Sequence, residues 1–189
     1  KASGPINVLT REQAGATPLI GGDGEGIPDL AEVLDLVAGQ VPLLIEIKDQ
    51  DGQLGPDVGA LERAAVEALQ GYSGLVALMS FNPNSTAELA QLAPNVPCGI
   101  VTSSYDLSDW PELTGRICDQ LRDIPDFDRV GASFISHESS DLSRPRVQDL
   151  RDEGVPVLCW TTTSPAEERA ARAFADNVTF EGYLSPLPG

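Results

Sequence analysis

The stretch Val41-Pro-Leu-Leu-Ile-Glu-Ile-Lys48 decides how the rest of the chain is read. Leu43, Leu44, Ile45 and Ile47 make an apolar run of strand length, the pattern of a strand covered on both faces. Glu46 and Lys48 stand at its C-terminal end. Side chains two apart on a strand leave from the same face. The acid and the base therefore project together where the strand exits, and in α/β folds that is where ligands and chemistry gather. The plainer alternative is a strand running out into solvent with ordinary surface charges.

The segments around this strand alternate in type. Before it, Leu30, Val33, Leu34 and Val37 recur at helical spacing, and Gly39 is a stop. Thr10-Arg-Glu-Gln13 fits a capping box, and Gly21–Gly26 reads as a loop. After it come a polar loop (49–59), a helix from Leu61 to Gly71 and a strand over 75–81. A helix opened by Asn82-Pro83 follows, then strands or helices near 97–102, 109–123, 129–137, 143–153, 155–160, 163–176 and 178–184. Six strands, each but the last followed by a helix, predict a parallel sheet with right-handed crossovers. The fold class is α/β, and the whole of 1–189 is expected to form a single domain. An open doubly wound sheet is the rival architecture, but its usual GxGxxG turn after the first strand is absent.

Bulk properties narrow the partners. The 189 residues carry 29 acids against 12 bases, a net charge of −17. Such a surface repels nucleic acid and anionic membrane. It also repels an anionic substrate unless a cation offsets the field. No stretch of 18 or more apolar residues occurs, so no stable membrane anchoring is expected. Cys98, Cys118 and Cys159 show no CxxC spacing and read as buried free thiols. No secretory leader begins at residue 1 and the first residue is not Met; a cytoplasmic location is the expectation. Six strands in an open sheet would leave two edges, which invites a homo-oligomer.

Several stretches taken in order resemble the glycerophosphodiester phosphodiesterase family. They are Ile27-Pro-Asp-Leu-Ala-Glu-Val-Leu34 before Leu44-Ile-Glu-Ile-Lys48, then Ser80-Phe-Asn-Pro83, Pro94-Asn-Val-Pro-Cys-Gly-Ile-Val101 and Gly154-Val-Pro-Val-Leu-Cys-Trp-Thr161. The resemblance covers about 27–184. It implies a (β/α)8 TIM barrel, of which this sequence holds about six of eight βα units, the C-terminal three-quarters. It implies hydrolysis of small glycerophosphodiesters to glycerol 3-phosphate and an alcohol, in phospholipid and glycerol metabolism. It also implies a divalent cation, Mg²⁺ or Ca²⁺.

The family's His-Arg, Glu-x-Asp and His-Asp motifs are not in this sequence. Its general acid and base histidines are expected upstream, and this segment alone is expected to be inactive. On the matching positions, Glu46 is the metal carboxylate and Lys48 the phosphate partner. Trp160 is a wall of the substrate pocket. Phe81 is core or pocket, and Ser80 a helix-cap neighbour or a ligand contact. Thr179-Phe-Glu-Gly-Tyr183 departs from the family's ending, so Glu181 takes no role. His137, the only histidine, matches neither family histidine and is read as a bystander. The alternatives are a catalytically incomplete, barrel-derived binding module and a related phospholipase-type phosphodiesterase.

Overall fold

The computed structural model describes residues 4–186. The chain divides into two compact units, residues 1–42 with 64–75, and residues 43–63 with 76–189. The first unit contains two helices, α1 (Arg11–Gly15) and α2 (Leu30–Val37). Both start with capping boxes, Thr10 with Gln13 and Asp29 with Glu32, in which each side chain accepts from the other residue's backbone amide. The cap at Thr10 is the one expected from the sequence.

Among the described residues the second unit holds six strands: β1 (Leu43–Glu46), β2 (Val76–Ser80), β3 (Cys98–Thr102), β4 (Phe134–Glu138), β5 (Val157–Thr162) and β6 (Asn177–Phe180). Helix α3 (Ala60–Ala68) starts in this unit. α4 (Pro83–Leu92), α5 (Gly115–Leu121), α6 (Pro145–Asp152) and α7 (Pro165–Ala171) lie wholly within it. Every strand pairs in parallel with the next, and the order β1-β2-β3-β4-β5-β6 never reverses. A doubly wound sheet reverses at a switch point; this sheet has none and curls as a run of consecutive barrel strands does.

The two faces of the sheet are distinct. On the outer face Ile135, Val157 and Cys159 pack with Val147 and Leu150 of α6 and Ala171 of α7. On the inner face Met79, Val101 and Phe134 pack on one another, joined by Ala77, Phe81, Leu158 and Trp160. Gly99 makes that inner layer fit: a Cβ there would lie 2.3 Å from the Phe134 ring. All three cysteines are free and buried, and burial pushes the Cys98 and Cys159 thiols up to about 11.

Several boundaries differ from the sequence reading for local reasons. The helix expected over 109–123 is only Gly115–Leu121, because Pro111 lies in a turn that precedes it. The strand expected from Arg129 starts at Phe134, since Gly131, at φ 68°, sits in a turn. The last strand stops at Phe180, before Gly182 at φ 78°.

The loop after β1 is anchored to the start of α4 by one buried residue. Asn82 Nδ2 donates to Asp49 Oδ1 (2.7 Å) and to the Gly55 carbonyl (2.8 Å), while its Oδ1 accepts from the Asn84 amide (2.9 Å). Asn82→Ala removes the cap and strands Asp49 Oδ1, while the Gly55 carbonyl keeps its bond from Asn84 Nδ2. We expect a loss of about 2–3 kcal/mol in urea unfolding; a change below about 0.5 kcal/mol, the range of an unremarkable surface site, would contradict this role.

His137 is fully buried on the outer face. Its Nε2 lies 3.2 Å from Asp141 Oδ2 and its Nδ1 2.8 Å from Thr102 Oγ1. A carboxylate only accepts, so Nε2 carries the proton and Nδ1 accepts from the Thr102 hydroxyl. Burial lowers the imidazole pKa below its usual 6.5, against the opposing pull of Asp141. The unfolded chain therefore takes up this proton first as pH falls. Stability from neutral His137 is whole above about 6.5 and is lost on acidification through the lower folded value. Unfolding free energy measured from pH 7.5 to 5 should fall with a slope that His137→Gln flattens.

Candidate active site at the strand exits

Glu46 is the last residue of β1 and pairs in register with Met79, which belongs to the inner layer. Register partners in a parallel ladder point to the same face, so Glu46 faces inward. Lys48 lies two residues past the end of β1, and an ion pair holds it against Glu46. Lys48 Nζ lies 2.8 Å from Glu46 Oε2, with the lysine side chain 74% exposed and the glutamate 21%. The other oxygen, Glu46 Oε1, is buried and has no hydrogen-bond partner. An ionised oxygen buried without a partner is costly.

That orphaned oxygen is the test of whether a divalent cation fits. It is a hard, anionic donor at a strand exit, the chemistry Mg²⁺ or Ca²⁺ takes. Among the described residues no group of three or more His, Cys, Asp or Glu side chains is close enough to hold a metal. Glu46 thus offers one ligand, not a complete set.

Phe81 belongs to a second cluster on the same inner face. Its ring centroid is 5.1 Å from that of Trp110 and 5.5 Å from that of Trp160, both edge-on contacts, and Tyr105 lies 5.1 Å behind Trp110. The Trp160 indole donates to the Ser136 carbonyl at 3.1 Å, which fixes its plane. The Trp160–Thr161 peptide is cis. Trp110 and Trp160, with Ser103, Asp109 and Glu138, line a pocket of about 280 Å³. Glu138 ends β4 on the inner face. Burial pushes its carboxyl up, but donation from the Ser140 hydroxyl (2.5 Å) and the Ser104 amide (2.9 Å) outweighs that and holds it below the usual range.

The structure therefore gathers Glu46, Lys48, Phe81 and Trp160 on one face. It separates Ser80 and His137 from them. Ser80 is fully buried on the outer face; its hydroxyl donates to the Ile47 carbonyl at 2.7 Å and accepts from the Asn82 amide at 3.1 Å. The ligand-contact reading of Ser80 does not fit this geometry, because a residue next to Phe81 on a strand points the opposite way. Its role is to tie the β1 exit to the start of α4. His137 lies among the outer residues, as a bystander would. Sequence reasoning missed Trp110, Asp109, Ser103 and Glu138. Glu138 was within reach of the logic used for Glu46, being a carboxylate at a strand exit.

The model of the glycerophosphoryl diester phosphodiesterase family matches residues 6–179. The Bacillus subtilis (strain 168) protein YhdW, whose name carries a provisional glycerophosphodiester phosphodiesterase assignment, is 23% identical over 167 residues, 87% of this chain and 60% of that protein. A glycerophosphodiester phosphodiesterase from Parabacteroides distasonis superposes with a TM-score of 0.65 at 19% identity, over 90% of this chain and 66% of that one. An Oleispira antarctica phosphodiesterase, in complex with the product sn-glycerol-3-phosphate, superposes with a TM-score of 0.59 at 22% identity, over 83% of this chain and 58% of that one. At these identities the superpositions establish the fold, and the chain spans about 60% of the curated relative's length. The family match over 6–179 carries the assignment: the chain belongs to the glycerophosphoryl diester phosphodiesterase family.

Proposed function

We propose that this chain supplies the β1–β6 side of a phosphodiesterase barrel that hydrolyses glycerophosphodiesters to glycerol 3-phosphate and an alcohol. The complete barrel would be the closed eightfold form of the fold. The observation that carries this reading is the Glu46–Lys48 pair on the inner face, with one glutamate oxygen held by the lysine and the other buried without a partner. Family membership and the solved relative holding sn-glycerol-3-phosphate support it.

In this reading Glu46 Oε1 is a ligand of a divalent cation, Mg²⁺ or Ca²⁺. The bound cation supplies Lewis-acid stabilisation of charge building on the phosphate. Lys48, mostly in solvent and held by one carboxylate oxygen, is placed to pair with a phosphate oxygen as a point charge. Phe81 and Trp160 give the site an apolar wall that covers the organic part of the substrate and excludes water.

One observation favours a second reading, a binding module without turnover. His137, the sequence's single histidine, is on the outer face with both ring nitrogens engaged. No histidine of this chain is available at the inner mouth for acid–base work.

The test reads binding and turnover separately. Free Mn²⁺, followed by electron paramagnetic resonance, should fall on addition of a protein in which this chain is joined to the family's Glu-x-Asp and His-Asp motifs, and Glu46→Gln should weaken that uptake roughly tenfold or more, as expected for losing a charged oxygen ligand. Lys48→Ala should weaken Mn²⁺-dependent glycerol 3-phosphate binding by about 1.5–3 kcal/mol, roughly tenfold to a hundredfold. Unchanged binding in both variants would overturn the assignment.

Turnover of glycerophosphocholine should appear, and be lost with chelator, when this chain is part of a protein that also carries the family's histidines. Metal binding without turnover in that protein would favour the binding module. Turnover by the 189 residues alone would contradict the need for histidines outside them.

A further inference from the structure

The loop between β3 and α5 carries Trp110, and one dipeptide of that loop, Ser104–Tyr105, is held at every backbone polar group. The Ser104 amide donates to Glu138 Oε2 (2.9 Å) and the Tyr105 amide to Ser103 Oγ (3.1 Å). The Ser104 carbonyl accepts from Arg122 Nε (2.7 Å) and the Tyr105 carbonyl from Arg122 Nη2 (2.7 Å). Arg122 is the C-terminal cap residue of α5. An arginine there can bond the last carbonyls of its own helix. This guanidinium instead reaches back 18 and 17 residues, to the loop that precedes the helix.

That grip holds a strained conformation. Tyr105 sits at φ 48°, in the left-handed region that a residue with a Cβ rarely adopts. Leu54, in the loop after β1, sits at φ 54°. Both side chains are buried in one cluster with Leu113 and Cys118, and Phe81 and Trp110 pack against it. The Tyr105 and Phe81 rings each lie 5.1 Å from Trp110. Strained residues persist only where their surroundings over-determine them, and they gather at functional sites. Here the turn at Tyr105 sets its ring behind Trp110, while Ser103 stays at the pocket that Trp110, Trp160 and Glu138 also line. Arg122 is not among the lining residues.

We infer that Arg122 is a positioning residue: its two N–H donors lock the Ser104–Tyr105 turn and so fix Trp110 in the wall of the candidate site. Lysine cannot replace it, because an ammonium on a flexible stem does not offer two donors in a rigid fork. The ion pair of Arg122 with Asp119, a largely exposed carboxylate, is a separate contact and contributes little. The consequence for turnover rests on the function proposed above; the hold on Trp110 does not.

Trp110 and Trp160 are the only tryptophans in the sequence, so Trp160→Phe leaves Trp110 as the sole tryptophan reporter. In that background Arg122→Ala and Arg122→Lys should each red-shift the Trp110 emission and raise its quenching by acrylamide. Asp119→Asn should change neither. Circular dichroism and the urea midpoint follow the fold in every sample. If Arg122→Ala does not fold, Arg122→Lys, which keeps the charge and a long stem, carries the test. With Trp160 in place, kinetics are read in a protein that joins this chain to the family's histidine motifs. There Arg122→Lys should raise KM for glycerophosphocholine roughly tenfold and leave kcat within about twofold, the pattern of a misplaced binding wall.

Unchanged Trp110 emission and quenching in folded arginine variants would overturn the inference. So would the same shift on Asp119→Asn, which would assign the effect to the ion pair. A fall in kcat with KM unchanged would overturn it too. If the joined protein carrying Arg122 turns over no glycerophosphodiester, the phosphodiesterase reading fails, and Trp110 fluorescence alone decides the role of Arg122.

Discussion

In a parallel sheet the register of a strand decides which side chains share a face, and the pairing of Glu46 with Met79 is the constraint on which this site depends. A slip of one residue would turn Glu46 and Lys48 under the helices and bring Ile45 and Ile47 to the mouth. The register is held from both sides. Inward, Met79 packs with Val101 and Phe134, made possible by the bare backbone at Gly99. Outward, Ser80 bonds the Ile47 carbonyl, and Asn82 bonds Asp49 and Gly55 in the loop beyond β1. The residues that place the acid–base pair are thus not the ones that would touch a ligand.

The electrostatics of the inner mouth follow from that placement. An anionic phosphate would approach a chain of net charge −17 against its field. The chain offers one exposed lysine at the end of β1, and beside it a carboxylate with an oxygen short of a partner. A cation at that oxygen would give a buried acceptor the partner it lacks and at the same time make the site attractive to phosphate.

The architecture was legible because strand and helix periods are local. Alternating βα segments announced the parallel sheet, and the two-residue spacing of Glu46 and Lys48 announced their shared face. The same alternation says that Ser80 and Phe81 cannot both face inward, since they are neighbours on one strand. Trp110 was not legible in this way. It lies in a turn that reads as the start of an amphipathic helix, and its position is set by contacts with Phe81 and Tyr105 from other segments. Glu138 was open to the logic used for Glu46, but the strand read over 129–137 stops one residue short of it, whereas β4 runs to Glu138.

The central claim is that Glu46 Oε1 is a cation ligand and Lys48 a phosphate partner on one inner face. Anomalous diffraction from crystals grown with Mn²⁺ and glycerol 3-phosphate tests it most directly. The account requires an anomalous peak bonded to the Glu46 carboxylate and a phosphate in contact with Lys48. A peak on another carboxylate cluster, with Glu46 bonded only to Lys48, would contradict it.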